Sequence, residues 1–149
     1  MGICSNRGKQ SVLVDLKHND SKELLDALMK WADVIRVNQV SSQLALLGLT
    51  EEHLKVLNPH IIITQFTAYG GPSWGPCSDH VGYDNTIQAS TGIVERFGGS
   101  LDKPEEHAHL GTVDVVSGWS GAVATCLALF KRLRTGQSDY ASTSLAANG

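Results

Sequence analysis

One acid heads a long, almost uncharged stretch, and that stretch limits what this chain can fold into. Between Glu106 and Asp139 the sole carboxylate is Asp114. From there the sequence runs through Val115 to Phe130 without a charge and ends in Lys131, Arg132 and Arg134. Such an apolar, Gly- and Ala-rich run predicts a buried helix. Ser117, Gly118, Ser120, Gly121 and Thr125 interrupt it, and it falls short of the roughly 20 apolar residues that a bilayer span needs. An acid at its head sits beside unpaired backbone N–H groups and the positive end of the helix dipole. Both favour the ionised form, which is the state a carboxylate nucleophile requires. The plainer reading makes Asp114 an N-cap, since Asp is a preferred cap residue. The spacing alone leaves both open.

The rest of the chain reads as alternating strands and helices. Ser11 to Leu16 is a short β-branched run, expected to be a buried strand. Asp20 with Glu23 has the pattern of a capping box, and Leu24, Leu25, Leu28, Met29 and Ala32 form a stripe at helical spacing. Asp33 to Val37 is the next strand. Thr50 is placed to cap a short helix over 51–57, which Asn58-Pro59 ends. His60 to Phe66 is the strongest strand signal, and a glycine- and proline-rich loop follows it through Pro76. A helix is expected from about Tyr83 to Arg96, then a polar loop, the helix behind Asp114, and a strand over Ser138 to Leu145. This order is that of βαβ crossovers, so the fold class is α/β with a parallel, Rossmann-like sheet and flanking helices. In such sheets ligands gather at loops leaving the carboxyl ends of strands, and the loop after Phe66 is such a place. Neither a G-x-G-x-x-G nor a Walker A sequence is present, which excludes conventional dinucleotide and nucleotide sites.

Composition narrows the function classes. The 149 residues are 42% hydrophobic and 18% charged, with a net charge of -3. These values describe an ordinary globular domain and give no reason to expect nucleic acid or an anionic membrane as partner. Cys4, Cys77 and Cys126 are too far apart for a C-x-x-C site; Cys126 reads as a small core residue. Free thiols without a signal peptide point to the cytoplasm. His107 and His109 form an H-x-H pair, but no third ligand stands at a convincing spacing, so no metal is expected.

Several segments, in order, resemble the family III coenzyme A transferases, the CaiB/BaiF group of formyl-CoA and carnitine CoA-transferases and α-methylacyl-CoA racemase. Asn6-Arg-Gly-Lys9-Gln-Ser11 through Asp15-Leu-Lys17 is similar to that family's N-[RK]-x-K-[RQ]-S-x-x-x-D-[LM]-K segment. Ala32-Asp33-Val34, Asn38, Gly48-Leu49 and Leu57-Asn58-Pro59 fall at its positions, as do Gly82-Tyr83-Asp84-Asn85, Gln88-Ala89 and Gly92. Asp114 through Arg134-Thr135-Gly136 is similar to the segment in which the catalytic Asp precedes a helix ending in [RK]-T-G.

The resemblance implies that Asp114 is the nucleophile and that the substrates are coenzyme A thioesters and carboxylic acids, with no metal. It implies that Asn6, Arg7, Lys9, Asn38 and Tyr83 contact CoA, and that Tyr69, Gly70 and Gly71 belong to a loop closing over the site. It also implies that residues 1–149 form one partial domain without counterparts to the family's opening βαβ unit and small domain. Self-association follows, as a homodimer or with the remaining parts of the enzyme. The chain departs from the family's E-N-F-x-P-G at Val37-Asn38-Gln39-Val40-Ser41-Ser42, which keeps a non-catalytic CoA-binding or assembly module as an alternative. A racemase is the third reading. Its acid/base His position is Tyr83 here, and a phenol ionising near pKa ~10 is a poor base beside a thioester.

Overall fold

The computed structural model describes residues 6–70, 75–107 and 111–149. In order, its elements are α1 (Ser21–Trp31), β1 (Val34–Val37), α2 (Ser41–Leu46), α3 (Glu51–Leu57), β2 (Ile62–Thr67), α4 (Asp84–Thr91), α5 (Ile93–Gly98), α6 (Thr112–Thr135), β3 (Tyr140–Ser144) and α7 (Leu145–Asn148). The three strands form one sheet in the order β1-β2-β3, and both pairings are parallel. Val34 faces Ile62 in register, and Ile63 faces Tyr140. This is the expected parallel α/β arrangement.

The central strand is buried because helices lie on both faces of the sheet. On one face Ile63 joins Ile35, Leu54 and Ile61, with Met29 and Ala32 of the α1 region against them. On the other face Thr64 and Phe66 meet α6. The Thr64 and Thr125 hydroxyls lie 3.0 Å apart, and the Phe66 ring rests on the backbone at Gly121. Alternation along β2 thus feeds two cores from one strand. A further cluster of Ala68, Ile87 and Val113 gathers α4, α6 and α7 just past the carboxyl end of β2.

Side chains hold the elements in place where the local sequence changes direction. Thr50 caps α3 as expected, its side chain accepting from the His53 N–H at 3.3 Å. Asn58 donates to the Ala32 carbonyl at 2.9 Å and so ties the end of α3 to the end of α1. Arg132 donates to the His60 carbonyl at 2.8 Å and to Asp33 Oδ1 at 2.9 Å, anchoring the last turn of α6 to the entry of β1 and β2.

Five expectations fail, each for a physical reason. Residues 11–16 form no strand and are mostly exposed, Leu13 completely, because the run does not dock on the sheet and its apolar side chains find no core to enter. Asp20 holds the N-cap position of α1 in a helical conformation, and its side chain makes no cap bond. The helix expected over 83–96 is two helices, split at Gly92, whose φ of 82° ends α4. α6 is not a buried helix: only its strip of Val113, Ser117, Gly121 and Ala128 is covered, while Trp119, Leu127 and Leu133 are exposed. Cys126 lies on that open side and is not a core residue. At 24 residues α6 is also longer than the apolar run suggested, and by length and composition alone it is long and apolar enough to cross a membrane. Its charged last turn is held to the sheet through Arg132.

The buried strip is made of small residues because the sheet comes so close. A Cβ on Gly121 would stand 2.0 Å from Phe66 Cζ, whereas one on Gly118 would meet nothing within 4 Å. Alanine in an exposed helix interior usually gains about 0.5–1 kcal/mol over glycine. Gly118→Ala should therefore stabilise the chain by about that amount in urea unfolding. Gly121→Ala should destabilise it by about 1–3 kcal/mol as the Phe66 ring is displaced. Equal responses at the two positions would contradict this docking.

Candidate active site

Asp114 is the third residue of α6, not its cap. The N-cap position is Gly111, with φ 73° and no side chain to offer. The orphan N–H groups at this helix start need an acceptor, and another element supplies it. Asp84, the first residue of α4 and itself buried, accepts the Asp114 N–H at 2.8 Å through Oδ2. Its Oδ1 accepts from the Gln88 side chain one turn on. Gln88 also accepts the His107 N–H at 2.8 Å, and His107 Nδ1 lies 3.0 Å from the Thr112 hydroxyl. A polar chain therefore links the loop before α6, the body of α4 and the nucleophile candidate.

Gly111 is where the two carboxylates converge. A Cβ there would lie 3.3 Å from Asp114 Oδ2 and 3.4 Å from Asp84 Oδ2. Partial burial raises the Asp114 pKa above its ordinary value, and the charge on Asp84 raises it further. This corrects the expectation that the helix end would favour the ionised form: desolvation and a like charge outweigh the dipole. The residue remains largely open to solvent, which screens part of both effects.

Asp114 opens into a cleft of about 710 Å³, within the usual range for small-molecule sites. Its walls come from the carboxyl ends of β1 and β2, the start of α6, and the β3–α7 junction, with Lys9, Arg36, Asn38, Phe66, Tyr83 and Ser117 among the lining residues. Of the expected contacts, Lys9, Asn38, Tyr83 and Asp114 thus meet around one space. Asn6 and Arg7 do not line it. The chain turns there, the Lys9 N–H bonding the Asn6 carbonyl at 3.1 Å, and Asn6 Oδ1 accepts from Lys9 Nζ at 3.2 Å. Asn6 steadies Lys9 from behind, and Arg7 is exposed. Tyr69 packs on the cluster of Ala68, Ile87 and Val113, not on the cleft, and the Gly70 N–H is held by Thr67 Oγ1 at 2.9 Å. Gly71, Cys4 and His109 lie outside the described residues. His107 is occupied by Gln88, Thr112 and an edge contact with Phe97, and no cluster suited to a metal ion occurs among the described residues.

Two site residues escaped the sequence reading. Asp84 stood in a segment noted for its likeness but carried no role; its signal was an acid preceding Gln88 by one helical turn. Arg36 was passed over as part of a strand, although a lone cation among Val34, Ile35 and Val37 is out of character there.

The comparisons with known proteins agree on one family. The sequence model of CoA-transferase family III matches residues 3–149. The CoA-transferase/lyase DddD of Marinomonas sp. is 38% identical over 140 residues, 94% of this chain and 17% of that protein. The succinate–glutarate CoA-transferase of Agrobacterium fabrum is 33% identical over 141 residues, 95% of this chain and 34% of that one. The crystal structure of Rv3272 from Mycobacterium tuberculosis superposes with a TM-score of 0.86 at 31% identity, covering 96% of this chain and 39% of that chain. A CAIB/BAIF family protein from Brucella suis gives 0.86 and 31%, covering 96% and 37%. The chain thus spans about two fifths or less of the length of these relatives.

Because the Asp114 pKa is raised, the folded chain holds that proton more tightly than the unfolded chain does. The associated stability is present below the ordinary carboxylate range and is lost as pH rises through the raised value. Asp84→Asn keeps an acceptor but removes the charge. It should move the Asp114 titration, read by carboxyl 13C NMR, back toward the ordinary value and flatten this part of the pH–stability curve. Asp84→Ala should cost about 1–3 kcal/mol in urea unfolding, since the Gln88 amide and the helix N–H lose their acceptor. An unmoved Asp114 titration in Asp84→Asn would contradict the coupling.

Proposed function

Because the chain belongs to CoA-transferase family III, we propose that it carries the nucleophile segment of an enzyme that moves CoA between an acyl-CoA thioester and a carboxylic acid. The observation that supports this most is the position of Asp114. Among the described residues lining the cleft it is the one carboxylate, and Lys9, Asn38 and Tyr83 line the same space.

The chemistry follows from a carboxylate facing a thioester. An Asp114 oxygen attacks the thioester carbonyl carbon, the C–S bond breaks, and a mixed anhydride forms with release of CoA thiolate. The thiolate then attacks the Asp114 carbonyl carbon. Aspartyl-CoA thioester forms, and the donor acid leaves as its carboxylate, carrying an oxygen that began on Asp114. An acceptor carboxylate reverses both steps and departs as the new acyl-CoA. Energy of the thioester is conserved in each covalent form instead of being lost to water. The site must therefore exclude water during turnover. The raised pKa suits this role, since a more basic carboxylate is a stronger nucleophile once ionised.

Tyr83, at the position of the racemase partner, supplies a ring to the cleft wall and not an imidazole. Transfer is the reading this favours over α-proton abstraction. The association expected of such a chain belongs to the same proposal, and the exposed apolar side of α6 is in keeping with it.

Incubation with acyl-CoA should leave a hydroxylamine-sensitive adduct on the peptide containing Asp114, detected by mass spectrometry. Asp114→Asn should abolish the adduct and lower transfer on the order of 10³-fold or more, as loss of a covalent nucleophile does. The rate of adduct formation should rise with pH through a value above the ordinary carboxylate range. An adduct that survives Asp114→Asn would overturn the assignment.

A further inference from the structure

Arg36 stands on the wall of this cleft without a task. It is the third residue of β1, and among the described residues its side chain makes neither a hydrogen bond nor an ion pair; the ion pairs present use other groups. Its guanidinium carbon lies 4.6 Å from the centre of the Phe66 ring. Stacking on that ring holds the planar head in place while leaving its N–H edges free, the arrangement that receives a carboxylate through two hydrogen bonds.

Register fixes where this cation stands relative to the nucleophile. Arg36 pairs with Thr64, so both point to the sheet face covered by α6. The Phe66 ring beneath Arg36 rests on Gly121. Gly121 follows Asp114 by seven residues, two turns on the same side of the helix and about 10 Å along its axis. No ion pair joins Arg36 and Asp114, and both line the same cleft. Attack on a carbonyl takes up about 3 Å at the Asp114 end. A charge-assisted hydrogen bond takes about 3 Å at the other. An acyl chain of a few carbon atoms would bridge a separation of that order. The phosphates of CoA stand a whole pantetheine arm away from a thioester at Asp114, farther than the two helical turns that separate Asp114 from Gly121.

We infer that Arg36 is a specificity-determining residue that binds a second carboxylate on the acyl group, so that this cleft selects short dicarboxylic acyl-CoA thioesters over monocarboxylic ones. The inference rests on Asp114 being the acylated residue. Two readouts on the full chain separate the failure of one from the failure of the other. The first is the rate of Asp114 acylation with succinyl-CoA and with butyryl-CoA, which have equal chain length and differ in the terminal charge. The second is equilibrium binding of free succinate and butyrate by calorimetry, which needs no acylation.

The succinyl donor and succinate should each be preferred by roughly tenfold, the size of one charge-assisted contact. Arg36→Met should erase both preferences, bringing the succinyl rate and the succinate affinity down to the butyryl and butyrate levels, and Arg36→Lys should restore part of them. Equal losses with both donors in Arg36→Met would assign Arg36 to the CoA phosphates and overturn the inference. So would a succinate preference that survives the substitution. If neither donor acylates Asp114 but the binding preference still follows Arg36, the dicarboxylate subsite stands and the nucleophile assignment falls.

Discussion

The long helix α6 is set by constraints at its two ends and along one narrow strip. At its start, a buried carboxylate from a different helix accepts the backbone N–H of the residue that faces the cleft. At its finish, Arg132 reaches two strand entries. Between them, Ser117, Gly121 and Ala128 present so little side chain that the helix backbone touches the sheet. A rigid helix fixed at both ends fixes the position of its third residue. Asp114 is thereby placed by the whole α/β layer and not by its own loop. Sites built on such elements hold their geometry better than sites carried on loops.

The same interaction explains the electrostatics. Asp84 caps the helix with a carboxylate, which suits the dipole, but it does so next to a second carboxylate. The stabilising cap therefore adds to the rise in Asp114 pKa that burial already produces. A neutral cap would leave a less basic carboxylate at the head of the cleft. The arrangement trades some stability at neutral pH for a more reactive oxygen, a common pattern where function and fold share residues.

Much of this architecture was legible from residue patterns, and the exceptions are instructive. Thr50 and the Ile-rich run before Phe66 announced a capped helix and a central strand because each signal is local. The parallel order followed from the alternation of elements. Residues 11–16 misled because a β-branched run does not say whether it docks on the sheet. The span after Asp114 misled because apolar composition does not say which sides of a helix are covered; only a strip is, and Trp119 and Leu133 are left outside it. At the site, likeness to a family brought out Asp114, Lys9, Asn38 and Tyr83, which do meet. Asp84 and Arg36 act through partners distant in sequence, the Asp114 N–H and the Phe66 ring, and no spacing rule reveals such pairs.

The central claim, that an oxygen of Asp114 takes part in the bonds made and broken, can be followed atom by atom. Turnover with an acceptor acid carrying oxygen-18 in its carboxyl group should leave one labelled oxygen in the Asp114 side chain, read from the mass of its peptide after the CoA products are removed. Label confined to the acyl-CoA product and the free acid, with an unchanged Asp114 peptide after many turnovers, would contradict the account.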